Sequence, residues 1–286
     1  MPVSPLLALA PRWRFLDSGA ADGATNMATD AALMAEARRT GVAILRVYAW
    51  DRPTLSFGRH ERTRDRFDPA RIEARGIGVV RRPTGGRALL HHREVTYSVT
   101  APANAMSLGE SYAAINALLL DALARLGVTA QVAAAARRPL RPEGAACFAE
   151  PAAGELTVDG LKLVGSAQLR EEGALLQHGS ILIADDQRMI ADLRTGGALG
   201  LPVTADAATL GAILGREISY GAVRDALGAA LGTAVGSAFA SGSGSARDSA
   251  RAPDVQREAP PAAASLQHDL ARLVIAFAQP SWTWRR

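Results

Sequence analysis

Two side chains in this 286-residue sequence suggest chemistry before packing: Cys147 is the only cysteine and Lys162 the only lysine. Every other cationic side chain is arginine. A lysine kept against that background marks a position where a compact point charge works and a planar, five-donor guanidinium does not. Thiolate is the reactive form of cysteine, and a neighbouring ammonium lowers the thiol pKa by stabilising that form. Brought together, the two read as an activated nucleophile. Taken singly, a free cysteine is more often an inert buried hydrophobe. The setting favours chemistry, because Asp159-Gly160 is a strong two-residue hairpin signal that places Lys162 at the start of a strand leading into Gly165-Ser166-Ala167-Gln168. Gln177-His178-Gly179-Ser180 follows shortly afterwards.

A second cluster precedes it, Arg81-Arg82-Pro83-Thr84-Gly85-Gly86-Arg87-Ala88 with His91-His92, then Thr96-Tyr97-Ser98. Adjacent glycines between two strands make a loop with no side chains over its backbone, so a ligand's head group or acyl chain can approach the amides closely. A plain tight turn would also use Gly-Gly; the flanking arginines tilt the reading towards an anion or carbonyl site. Adjacent histidines on a strand point to opposite faces, and no cysteine or carboxylate cluster joins them, so no metal is expected.

The elements that must hold these residues alternate along the chain. A strand is expected over Trp13 to Leu16. A helix follows from about Asn26, its N-cap, to Arg39, with Gly41 as the stop. Strands follow at Ile44 to Trp50 and Leu55 to Gly58, which the intervening Pro53 suggests are an antiparallel pair. Asp68-Pro69 opens a short helix ending at Gly76, and Ile77 to Arg81 is the next strand. Ser107 and Glu110 form a capping box for a long helix through Leu126. Short helices are expected at Thr209 to Leu214 and Ser219 to Leu231, and a last one from Leu266 to Phe277. These elements define a catalytic unit over residues 12–236, a Gly/Ser/Ala-rich and disordered insertion over 237–264, and a C-terminal helix and tail over 265–286.

At 48% apolar and 21% charged residues the chain reads as a soluble globular protein with ample material for a large core. It carries a formal net charge of +4, with no dense basic run interleaved with aromatics, so nucleic acid is not an expected partner. A mildly basic face suits an acidic protein instead. One cysteine excludes an intrachain disulfide framework, and neither a signal peptide nor a membrane-spanning segment is apparent. A cytoplasmic protein is expected.

Taken together, the Arg81–Ala88 cluster, Cys147-Phe148, Lys162 to Gln168 and Gln177 to Ser180 resemble the biotin/lipoate protein ligase superfamily, and most closely its cysteine-dependent octanoyltransferase branch. Asn26-Met27-Ala28-Thr29-Asp30 and Trp282-Thr283-Trp284-Arg285-Arg286 fit the same branch. The resemblance implies an α/β fold of α+β type, with a mixed, largely antiparallel central sheet flanked by helices and a small C-terminal helical portion. It implies transfer of octanoyl from acyl carrier protein to a lysine of a lipoyl domain, that of the glycine cleavage H protein or of a dehydrogenase E2, with no ATP, metal or other cofactor. Cys147 and Lys162 would be catalytic. Arg82, Thr84, Gly85, Gly86, Arg87, His91, Gly165, Ser166, Ala167, Gln168, His178 and Gly179 would bind substrate, with Leu89, Val164 and Ala167 lining an acyl tunnel. Three other readings stay open: an amidotransferase between lipoyl domains, an ATP-dependent lipoate ligase in which Cys147 is incidental, and a non-catalytic binder of lipoylated or acyl-carrier proteins.

Overall fold

The computed structural model describes residues 4–103, 106–134, 152–196, 207–239 and 264–285. Cys147 and the stretch from 240 to 263 lie outside these described residues. The elements in chain order begin with α1 (Pro5–Leu9), β1 (Arg12–Ala21), α2 (Gly23–Thr40), β2 (Val42–Trp50), β3 (Thr54–Phe57), α3 (Pro69–Ala74) and β4 (Gly78–Arg81). They continue with β5 (Leu89–His91), β6 (Glu94–Pro102), α4 (Leu108–Arg125), β7 (Gln131–Val132), β8 (Leu156–Val158), β9 (Leu161–Glu171) and β10 (Ala174–Leu182). The last are α5 (Met189–Asp192), α6 (Leu210–Leu214), α7 (Tyr220–Phe239), α8 (Ala264–Ala278) and α9 (Pro280–Thr283).

Among the described residues the strands form two sheets. One has seven strands in the order β1-β2-β6-β10-β9-β8-β7, and the other three in the order β4-β3-β5. Pairing in the large sheet is antiparallel except between β1 and β2, which α2 joins as a crossover. The expected antiparallel pairing of β2 with β3 does not occur. β2 lies between β1 and β6, while β3 pairs in parallel with β4 and antiparallel with β5 in the small sheet. The Asp51-Arg52-Pro53 connection turns the chain out of one sheet and into the other. Every residue of β3 is buried, so its partners are set by tertiary packing and not by the short link to β2.

One face of the large sheet carries the main core. Leu45, Val47, Val95 and Val99 meet Leu118 and Leu119 of α4, Leu227 of α7, and Leu6 and Leu9 of α1. The opposite face is covered by α2, through Leu33 against Leu16 and Ile44, and by the small sheet. The functional face is therefore a gap between two sheets.

Local signals set several boundaries. Asp68 caps α3 with Pro69 at its first position, and Ser107 and Glu110 form a reciprocal capping box on α4. Gly41 ends α2 in the left-handed conformation. The cap of α2 is a correction: Asp22, not Asn26, accepts the Ala24 and Thr25 amides, so the helix starts a turn earlier. Asn26 is buried instead, its amide donating to the Ala21 and Ala49 carbonyls. α7 continues to Phe239, beyond the expected Leu231. Asp159 and Gly160 both adopt positive φ, 50° and 80°, in the two-residue turn that delivers Lys162 into β9.

Candidate active site

The two sheets and the Pro83–Gly86 loop enclose a mainly apolar cavity with about 480 Å³ of space free of protein atoms, part of it open to solvent. Of the residues expected to bind substrate, Arg82, Gly85, Gly86, His91, Gly165, Ser166, Ala167, His178 and Gly179 all line it. Strands distant in sequence meet here because β9 and β10 pair across the hairpin, with Ala167 opposite His178 and Ser166 opposite Gly179.

Four residues are not part of the cavity lining, and one of them, Arg87, follows the glycine loop, where its carbonyl accepts from Arg82 and its charge reaches Glu155. Gln168 follows Ala167 on an extended strand and so points to the other face. There its amide donates to Gln177 Oε1 at 3.0 Å, and its oxygen accepts from Ser111 on α4. Val164 packs into the main core and not into a tunnel wall. Thr84 is buried, and its hydroxyl shares a 2.6 Å hydrogen bond with His178 Nε2.

That bond starts a chain that clamps the glycine loop to the large sheet. His178 Nδ1 is 3.0 Å from Asp30 Oδ2, and Asp30 also takes Arg46 Nη1 at 2.7 Å, the Ser98 hydroxyl at 2.7 Å and the Tyr48 hydroxyl at 3.0 Å. Burial pushes the Asp30 carboxyl up, but the Arg46 charge and the hydrogen bonds from His178 and Ser98 outweigh it and hold the group below its ordinary value. The loop is braced from its other side by Arg82, whose guanidinium donates to the Ser56 carbonyl and hydroxyl and to the carbonyls of Gly85 and Arg87. Arg82 thus shapes the loop as well as lining the cavity. Gly58 makes the close approach possible: a Cβ there would sit 1.9 Å from the Gly86 carbonyl oxygen.

Glu155 also lines the cavity, and it forms an ion pair at 2.6 Å with Lys162, both almost wholly buried. Burial pushes the Glu155 carboxyl up against the pull of Lys162 and the Ala152 amide, and the charge of Arg87 reaches it too. The second Glu155 oxygen accepts the Ala152 N–H at 2.6 Å. Glu155 thereby ties Lys162 to the described residue that follows the cysteine-bearing stretch. Ser166 occupies the strand edge beyond β8, which pairs only with Leu161–Val164. Its carbonyl accepts from the Tyr112 hydroxyl at 2.9 Å. In an extended strand the N–H of a residue leaves on the same edge as its C=O, so the Ser166 amide also points away from β10. On the other side of β9, Gly179 lets β10 approach closely, because a Cβ there would meet the Gly165 carbonyl at 2.4 Å and Ser166 Oγ at 2.7 Å.

His91 and His92 point apart, as their adjacency requires. His92 is exposed and pairs with Asp186, while His91 is buried between Glu94 and Ser56. Burial, with the nearby Arg82 charge, outweighs Glu94 and lowers the His91 pKa. Among the described residues no group of three or more His, Cys, Asp or Glu side chains could hold a metal ion, and no helix is long and apolar enough to cross a membrane. The sequence did not reveal Asp30, Arg46, Glu94, Trp50 or Glu155 as parts of the site. Asp30 had a local signal, lying in the Asn26–Asp30 segment that carries part of the family resemblance, and Glu94 opens the strand that follows the glycine-loop cluster.

Comparison with known proteins agrees with this geometry. The octanoyltransferase LipM of Kyrpidia tusciae is 46% identical over 192 residues, which cover 64% of this chain and 70% of the relative. That of Symbiobacterium thermophilum is 40% identical over 231 residues, 76% of this chain and 84% of the relative. Among solved structures, a bi-partite lipoate protein ligase of Thermoplasma acidophilum superposes with a TM-score of 0.71 at 17% identity over 96% of both chains. Lipoate-protein ligase A bound with ATP gives 0.69 at 17%, over 96% and 98%. At such identity these two establish the fold. The family model of the lipoyl protein ligase A/B catalytic domain matches residues 22–232, and with the octanoyltransferase relatives it places the chain: it belongs to the lipoyl protein ligase A/B catalytic-domain family, in its octanoyltransferase branch.

Proposed function

We propose that this chain moves an octanoyl group from acyl carrier protein to a lysine of a lipoyl domain, in lipoate biosynthesis, through a thioester on Cys147. The observation that carries the reading is the apolar cavity beneath the glycine loop, lined by Glu155, which pairs with the buried Lys162, and by residues of β9, β10, β6 and β2. It offers an acyl chain an apolar bed and its carbonyl a polar end. The Cys147 thiolate attacks the carbonyl carbon of the octanoyl thioester, and the tetrahedral oxyanion collapses by expelling the carrier's thiolate, which takes a proton. Exchange between thioesters is nearly balanced, so this step needs no ATP. A neutral lysine amine of the acceptor then attacks; the C–N bond forms, the C–S bond breaks, and the amine proton passes to the Cys147 sulfur. The second step is downhill because an amide replaces a thioester. The Ser166 amide, at the open strand edge, is suited to receive the oxyanion, a contribution of about 3 kcal/mol per donor in such sites.

Intact-protein mass spectrometry after brief incubation with octanoyl-acyl carrier protein, without ATP, tests the reading. One octanoyl increment is expected, and none in a folded Cys147→Ala variant. Modification of a lipoyl domain that appears only with ATP and free acid would replace this reading with a ligase.

A further inference from the structure

The register across the large sheet sets Gly165 of β9 opposite Ser180 of β10, Ser180 opposite Thr96 of β6, and Thr96 opposite Tyr48 of β2. Directly paired residues share a face. The row therefore presents a hydrogen, a hydroxymethyl group, a small branched group and then a phenol ring. All four residues line the cavity, so its floor is a trench of small side chains running across the strands and blocked at β2.

The block is rigid. The Trp50 ring stacks on His91 with centroids 3.9 Å apart and planes 17° from parallel. Trp50 Nε1 donates to Thr96 Oγ1 at 2.8 Å, and Thr96 in turn donates to Glu94 Oε1 at 2.6 Å. His91 uses both ring nitrogens, on Glu94 at 2.7 Å and on Ser56 at 2.7 Å, and the Tyr48 hydroxyl is held by Asp30.

We infer that this aromatic stop, Trp50 with His91 and Tyr48, sets the length of acyl chain the pocket accepts. The inference rests on the octanoyl-transfer reading for its polar end, at β9. From β9 to β2 there are three strand spacings, about 14 Å at roughly 4.8 Å each. Half an aromatic ring at one end and the thioester at the other leave about 9–10 Å, close to an extended eight-carbon chain with C–C bonds near 1.5 Å. Two further methylenes would have to displace Trp50, which its hydrogen bond and its stack on His91 oppose.

The test compares wild type, Trp50→Ala, Trp50→Leu and Ser180→Val. Loading is measured with hexanoyl-, octanoyl-, decanoyl- and dodecanoyl-acyl carrier protein, and binding of the free straight-chain acids by calorimetry. Wild type is expected to favour octanoyl over decanoyl at least tenfold. Either Trp50 variant should shift the decanoyl-to-octanoyl ratio by tenfold or more, and Ser180→Val should move the preference to hexanoyl. A wild-type ratio retained in whichever Trp50 variant folds, or an unchanged preference in Ser180→Val, overturns the inference. A wild-type enzyme that binds the free acids with this cut-off but forms no octanoyl adduct defeats the transfer reading and leaves the length limit standing. One that loads octanoyl and dodecanoyl equally does the reverse.

Discussion

Lys162 is 2% exposed, and the Glu155 carboxylate 2.6 Å away balances its charge. Removing one partner of such a pair leaves the other charge buried without compensation, at a cost of about 3–5 kcal/mol. Urea titration of Lys162→Met should therefore show a loss of that order. Lys162→Met/Glu155→Gln should recover most of it, since a neutral pair replaces a stranded carboxylate. Acyl loading should stay low in both. If Lys162 stabilises the Cys147 thiolate, the double variant should also alkylate at higher pH than wild type, and an unchanged alkylation profile would separate the two residues. Lys162 was legible in the sequence as the only lysine of an arginine-rich chain. Glu155 was not: it is one carboxylate among 28, and only the fold of β8 against β9 shows where it ends up.

At the scale of elements, the glycine loop is held by side chains from three separated segments: Asp30 on α2, Arg46 on β2 and His178 on β10. The sequence showed that the loop existed and that both arginines flanked it. It could not show that α2 would lie across the large sheet with Asp30 facing His178, because that depends on which strands pair and in what register. The misread neighbour relation of β2 and β3 has the same origin. Short linkers favour adjacency, yet β3, buried at every residue, pairs in the small sheet. The clamp has a pH signature. A carboxyl held below its unfolded value stabilises the protein above that value, and the contribution is lost as pH falls through the folded one. For Asp30 the loss begins below about pH 4, near the ordinary aspartate value. Thermal unfolding from pH 3 to 7 should show this slope in wild type. Asp30→Asn should have a lower but flatter profile, and an equally steep one would assign the acid sensitivity elsewhere.

At the scale of the molecule, the end of the described chain is built into the site's foundations. Arg81 is fully buried and donates to the carbonyls of Gly58 and Glu61, and to those of Trp282 and Thr283. The Trp282 indole donates back to the Arg81 carbonyl at 3.0 Å, and Phe277 meets Trp282 edge-on. Burial, with the Arg285 and Arg82 charges nearby, lowers the Arg81 pKa to about 10, so this guanidinium depends on backbone oxygens for its solvation. Arg81 and Arg82 are consecutive: one anchors the tail and the other braces the loop, and the Arg59 amide ties to the Thr84 carbonyl at 2.7 Å. Ending the chain at Gln279 would remove two close charge-assisted acceptors, on Trp282 and Thr283, and a longer one on Arg285 at 3.5 Å; the close ones are worth about 1.5–3 kcal/mol each before water replaces part of that. A net loss of about 3 kcal/mol, or on the order of 10 °C in Tm, is expected. Because the loop shares this anchor, the truncated protein should also load octanoyl more slowly even at temperatures where it remains folded. Unfolding scans and loading rates on the same preparation check both. A truncated chain as stable and as active as the full one would mean that Arg81 needs only Gly58, Glu61 and the Thr63 hydroxyl, and that the tail merely covers the loop without supporting it.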